Sequence, residues 1–197
     1  MAKEDTTPRM STPLVLTFYA AMLAIALVLS AFTEPGLALL TRPPSPAPGW
    51  PWLASLPWWL AGLLVGAGLV AVSWLAERLW PAMARLSAEL AASVGPVGVG
   101  QAVVWALASG LAEEALFRGA VQHALGYVAA SLIFALLHGG VSRRLIAWST
   151  FALLAGLCFG LLVEAYGCLW PAVLAHVVVN AINLRRLGLR SLSEESI

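Results

Sequence analysis

Three polar constellations interrupt long apolar stretches of the chain, and each has a spacing that could do chemistry. The first is Glu113-Glu114-Ala115-Leu116-Phe117-Arg118. Glu114 and Arg118 are four apart, on one helical face with the acid N-terminal, the favourable order for an ion pair. Glu113 lies about 100° round that helix and has no cation in the local sequence. The economical division makes Glu114 and Arg118 a structural pair and leaves Glu113 free for chemistry. The other two constellations are Phe134-x-x-x-His138 and His176-x-x-x-Asn180. His176 and Asn180, again four apart, stack on one face and can address the same small volume.

Glu113 and His138 are related through a turn. If the helix carrying Glu113 reverses at Gly126, both residues lie 12 positions from the turn, one on each side. At about 1.5 Å per residue they reach similar depth on adjacent antiparallel helices. A carboxylate and an imidazole facing each other in an apolar site can activate a water molecule by general base catalysis.

The elements that must position these groups are membrane spans. The chain has 197 residues, of which 60% are hydrophobic and only 11% charged, and its mean hydropathy is +0.86. An ordinary soluble domain carries about 25% charged residues, so both that class and disorder are excluded. The formal charge of +1 gives no footprint for nucleic acid. Cys158 and Cys168 have neither disulfide-framework nor zinc spacing. Six uncharged runs, 10–33, 43–76, 90–112, 119–142, 145–163 and 165–184, meet or approach the roughly 20 residues a spanning helix needs. The expected fold is all-α, a polytopic transmembrane bundle of about six spans with its catalytic core in the last four.

Within the second run, Arg42-Pro43-Pro44-Ser45-Pro46-Ala47-Pro48-Gly49 reads as a loop, and the span begins near Pro57. Trp50, Trp52, Trp58 and Trp59 suit the headgroup layer at its edge. With the N-terminus inside, nine basic residues (Lys3, Arg9, Arg78, Arg85, Arg143, Arg144, Arg185, Arg186, Arg190) face the cytoplasm and two (Arg42, Arg118) the outside. Both termini are therefore expected to be cytoplasmic. The chain divides into a tail at 1–12, two spans with a Pro/Trp-rich loop and an amphipathic connector at 13–89, a core at 90–184 and a polar tail at 185–197. His123, Gln101, Gln122, Asn183 and Glu164 read as structural or interfacial. Gly62-x-x-x-Gly66 and Gly156-x-x-x-Gly160 read as close helix contacts.

Glu-Glu-x-x-x-Arg followed by Gly, Phe-x-x-x-His and His-x-x-x-Asn, in that order on successive hydrophobic segments, resemble the CPBP family of intramembrane endopeptidases. That family is also called ABI; it includes type II CAAX prenyl endopeptidases and bacteriocin-processing and self-immunity proteins. The resemblance covers roughly Ala91 to Leu184. It implies a glutamate-dependent peptidase in which Glu113 and His138 activate the attacking water and His176 and Asn180 stabilise the oxyanion, with Glu114 and Arg118 in structural support. Donation toward a developing oxyanion is worth roughly a few kcal/mol. No cofactor is required on that reading. The alternative is zinc held by Glu113 and the two histidines, an acceptable His₂Glu set although HExxH is missing.

The implied partners are the lipid bilayer and a membrane-anchored or strongly apolar protein or peptide substrate. One Lys against ten Arg, with abundant Ala, Gly, Pro and Trp, suggests a high-GC bacterium and its inner membrane. There, removal of a hydrophobic sorting tail or leader, as in the myxosortases, fits better than processing of prenylated proteins. Two other classes remain open: a non-catalytic self-immunity protein, and a proton-coupled transporter, whose ion pathway would also use buried Glu, Arg, His and Asn.

Overall fold

The protein is described here by a computed structural model covering residues 10–33, 38–45, 55–142 and 145–195. Readings that fall on Lys3, Arg9, Trp50, Trp52, Arg143 and Arg144 lie outside the described residues. Within them every regular element is helical.

Helix α1 (Thr12–Ser30) starts with Pro13 in its first turn, where the missing N–H costs nothing, and is apolar all round. It buries only Val15 and Ala26, so most of its surface faces lipid. Its N-terminal end is fixed by Thr12, whose hydroxyl accepts hydrogen bonds from Gln101 Nε2 at 3.2 Å and Trp105 Nε1 at 3.1 Å. The short α2 (Ala38–Thr41) is tied to the start of the last helix, because the Leu39 carbonyl accepts from the Leu169 amide and the Leu40 carbonyl from Trp170 Nε1.

Helix α3 (Trp58–Leu79) approaches the last helix, α8 (Trp170–Glu195), more closely than a side chain would allow. A Cβ on Gly62 would lie 2.7 Å from the Pro171 carbonyl oxygen, and one on Gly66 would lie 2.9 Å from that of Ala175. Between spans in lipid, where apolar burial gives little drive, such small-residue contact supplies the packing energy. The second small-residue pair works the same way: Gly156 seats Ser131, and Gly160 seats Tyr127 and Gln122.

Helix α4 (Pro81–Val94) is amphipathic, burying Met83, Leu86, Ala91 and Val94. It bends by 106° into the next helix, as suits the connector read from the sequence. Helix α5 (Val99–Glu114) runs on through a π-helical segment, Ala115–Val121, to a last turn at Gln122–Leu125. At Gly126 φ is +82°, a conformation that L side chains rarely adopt, and the chain reverses there. Helix α6 (Tyr127–Gly139) then returns for only 13 residues. Helix α7 (Ile146–Tyr166) packs against α6 and completes the bundle with α8.

The fold is an all-α polytopic membrane bundle, with two departures from the run-by-run expectation. Among the described residues four helices (α1, α3, α7 and α8) are long and apolar enough to span, or five if the bent α4–α5 pair counts as one. The run at 119–142 is no single span, because Gly126 assigns its first third to the end of α5 and leaves α6 short. The segment set apart as a polar tail from 185 is instead helical to Glu195. Its basic residues are held at the bundle end: Arg185 Nη1 donates to the Val97 carbonyl at 2.8 Å, and Arg186 and Arg190 bond to Glu77 at 3.0 and 2.7 Å.

Candidate active site

The polar groups singled out from the sequence converge on one cavity. It has a volume of about 550 Å³, a mostly apolar lining from α1, α4, α5, α6, α7 and α8, and Ser109, Glu113, His138, His176 and Asn180 in its wall. Glu113 Oε2 lies 3.6 Å from His138 Nε2 and 3.9 Å from His176 Nε2. Both separations exceed a direct hydrogen bond, so a water reaching a carboxylate oxygen and a ring nitrogen together would sit beside the gap, on the cavity side. Glu113 Oε2 is buried with no hydrogen-bond partner, and such an atom needs a functional or solvent explanation.

His138 comes from the last turn of α6. Its Nδ1 is 2.8 Å from the Phe134 carbonyl oxygen. A carbonyl only accepts, so Nδ1 carries the proton and Nε2 turns an unprotonated lone pair toward Glu113 in the neutral ring. Phe134 packs beside the ring at 4.1 Å. The Phe-x-x-x-His spacing thus both orients the imidazole and selects its tautomer. The side chain is 25% exposed, which opens it to the cavity.

His176 is oriented from the opposite side. Its Nδ1 donates to Glu114 Oε1 at 2.7 Å, and its ring stacks on Phe159, with centroids 5.1 Å apart and planes 18° apart. The expected pair is also present, Arg118 Nη1 bonding to Glu114 Oε1 at 3.2 Å. Glu114 therefore has two tasks, of which sequence reasoning found one. Arg118, 1% exposed, donates further to the Gly156 carbonyl and lies over the Phe134, Phe159 and Phe117 rings at 4.5, 5.4 and 5.9 Å. Guanidinium tolerates such a site because its weak hydration and flat faces suit aromatic contact.

Asn180 lies one turn after His176 on α8. Its Nδ2 donates to Ser109 Oγ at 2.8 Å, and Ser109 Oγ donates in turn to the Ala106 carbonyl. Ser109 was not singled out from the sequence, although it stands four residues before Glu113 and so on the same helical face. Tyr19 was missed too. Its hydroxyl faces the Glu113 carboxylate and the Ser109 hydroxyl from α1. No spacing rule could join it to a site beginning 90 residues later. His123 is exposed near the end of α5, outside this cluster. Gln122 holds the Gly160 carbonyl and Glu164, a helix-to-helix tie.

The Glu113, His138 and His176 side chains are the donor set available for a metal. Among the described residues no group of three or more His, Cys, Asp or Glu side chains is arranged to hold one.

A family model described as "Rce1-like: Type II CAAX prenyl endopeptidase Rce1-like" matches residues 96–182. The matched segment, less than half of the chain, takes in α5, α6, α7 and the first half of α8, and with them Glu113, His138, His176 and Asn180; α1 to α4 lie outside it. The chain is also 41% identical over 73 residues to "Uncharacterized protein YpbD" of Bacillus subtilis (strain 168). That similarity covers 36% of this chain and 37% of the relative, so the two share about a third of their lengths. No solved structure matches the chain.

Proposed function

We propose that this protein is an intramembrane endopeptidase of the glutamate-dependent kind, hydrolysing a peptide bond in a membrane-anchored or strongly apolar protein segment. The observation that carries the reading is Glu113 Oε2, buried without a partner between the Nε2 atoms of His138 and His176 at the wall of an apolar cavity. The Rce1-like match, whose family description names a CAAX prenyl endopeptidase, supports the reaction class.

In this mechanism a water held by Glu113 and His138 attacks the scissile carbonyl carbon. Its proton passes to the Glu113–His138 pair as the C–O bond forms, and the carbonyl π electrons move onto oxygen. Asn180 and His176 face the developing oxyanion. His176 serves as an imidazolium, donating through Nε2 while Glu114 accepts from Nδ1, so Glu114 stabilises the cation as well as fixing the ring. Collapse of the tetrahedral species re-forms the carbonyl and breaks the C–N bond. The proton held by the pair goes to the leaving nitrogen, which closes the balance without a metal.

The substrate proposed is a hydrophobic sorting tail or leader in a bacterial inner membrane, and the end of the cavity lined by Met10, Leu14, Leu184 and Leu187 lies toward the cytoplasm in that scheme. The deciding experiment compares the termini of membrane proteins by mass spectrometry in cells with matched expression of the unaltered protein or Glu113→Gln. Precursors accumulating only with Glu113→Gln support hydrolysis and identify the bond. Identical termini overturn it in favour of binding or transport. Loss of hydrolysis on chelation, restored by zinc, would replace the metal-free mechanism by the His₂Glu zinc one.

A further inference from the structure

We propose that Tyr19 of α1 is a positioning residue for Glu113, so that the water-activating site is completed by a helix outside the Rce1-like match. The inference rests on the endopeptidase reading and adds a group that neither the matched segment nor the polar motifs contain. Three observations support it. Helix α1 lies along α5 and the π segment, with its start pinned by the bonds from Gln101 and Trp105 to Thr12. Two turns on, this places the Tyr19 hydroxyl against the Glu113 carboxylate and Ser109 hydroxyl, in the wall of the same cavity. Finally, Glu114 is held by Arg118 and His176, whereas Glu113 Oε2 takes no hydrogen bond, so the Tyr19 contact falls on the other carboxylate oxygen and leaves Oε2 open to water.

A phenol donates one hydrogen bond and has no charge at neutral pH, so it can fix a carboxylate without quenching it as a base. Tyr19 holds Glu113 from the α1 side while the α6 and α8 sides stay open to water and substrate. The same hydroxyl touches Ser109, which accepts from Asn180. One phenol therefore links the water-activating and oxyanion groups. The other groups facing Glu113 are His138 from α6 and His176 from α8, with Arg118 and Glu114 on its own helix and apolar Phe159 from α7.

Tyr19→Phe keeps the ring that packs edge-on with Phe18 at 5.2 Å and removes only the hydroxyl. With the precursor found by the terminus comparison as substrate, kcat should fall on the order of 10-fold with KM unchanged, the size of effect a hydrogen bond to a charged group gives. A merely structural tyrosine would instead lower the amount of folded protein or raise KM, leaving kcat of the folded protein in place. Unchanged kcat would overturn the proposal.

A second measurement does not depend on turnover. Fluorine NMR of protein carrying 3-fluorotyrosine at position 19 alone, in lipid nanodiscs, should show a shifted resonance when Glu113→Gln is introduced; an unmoved resonance overturns the contact outright. Failure of the endopeptidase reading looks different. The unaltered protein would then release no product, which removes the positioning role even where the resonance responds.

Discussion

At the scale of single residues, Glu114 is the side chain on which most depends. It accepts from Arg118 and His176 at once, and removing one partner from a buried ion pair leaves the other charge stranded, at about 3–5 kcal/mol. Glu114→Ala should therefore lower stability by that order in thermal or denaturant unfolding of the detergent-solubilised protein. Glu114→Gln, which can still accept from His176, should unfold nearer the unaltered protein yet hydrolyse its substrate on the order of 100-fold more slowly, because the imidazolium loses its counter-charge. Asn180→Ala should keep KM and reduce kcat by about 10²–10³, the range for loss of an oxyanion donor; single-turnover kinetics would read it. The sequence displayed Glu113, His138, His176 and Asn180 through helical spacing, since groups three or four apart share a face. It did not display the Glu114–His176 bond or Tyr19, because those contacts join helices and no periodicity within one segment encodes them.

At the scale of elements, glycine determines where the site can form. Gly126 sends α6 back along α5, and that reversal lets His138 meet Glu113 at 3.6 Å. Depth counting from this turn was legible because both helices leave it directly. The π segment was not: Ala115–Val121 reads as ordinary helix by composition, and the bond from Arg118 to the Gly156 carbonyl of α7 that accompanies its wider turns joins two helices. Such segments recur at functional sites. The contacts at the end of α8 were not legible for another reason. Charge alone reads Arg185, Arg186 and Arg190 as a polar tail, whereas the Val97 carbonyl and the Glu77 carboxylate that accept from them lie on other helices or connections. Gly66→Leu should be strongly destabilising, since even a Cβ would lie 2.9 Å from the Ala175 carbonyl and from Val178. Gly68→Leu, where nothing stands within 4 Å, should be tolerated. Comparing the melting temperatures of the two proteins checks the contrast.

At the scale of the whole molecule, helices alternate in direction from α5 to α8, with α4 lying across one end. From the charge asymmetry of the sequence that end is expected to be cytoplasmic. Cysteines introduced as Thr33→Cys and Ser142→Cys, in a background with Cys158→Ala and Cys168→Ala, should react with membrane-impermeant reagent from opposite faces, Thr33→Cys from outside intact cells. Labelling of both from one side would contradict the alternation.

The brevity of α6 has a consequence for the bilayer itself. Thirteen residues rise about 20 Å, against roughly 30 Å of hydrocarbon. Lipids beside it must shorten or tilt to meet the polar ends, at a fraction of a kcal/mol per Å of mismatch. Hydrocarbon thinned in this way would lie beside His138, where the proposed hydrolysis has to bring water to an apolar peptide. On that proposal acyl-chain length controls the reaction: reconstitution in lipids of increasing thickness should depress turnover progressively, with the folded protein left intact.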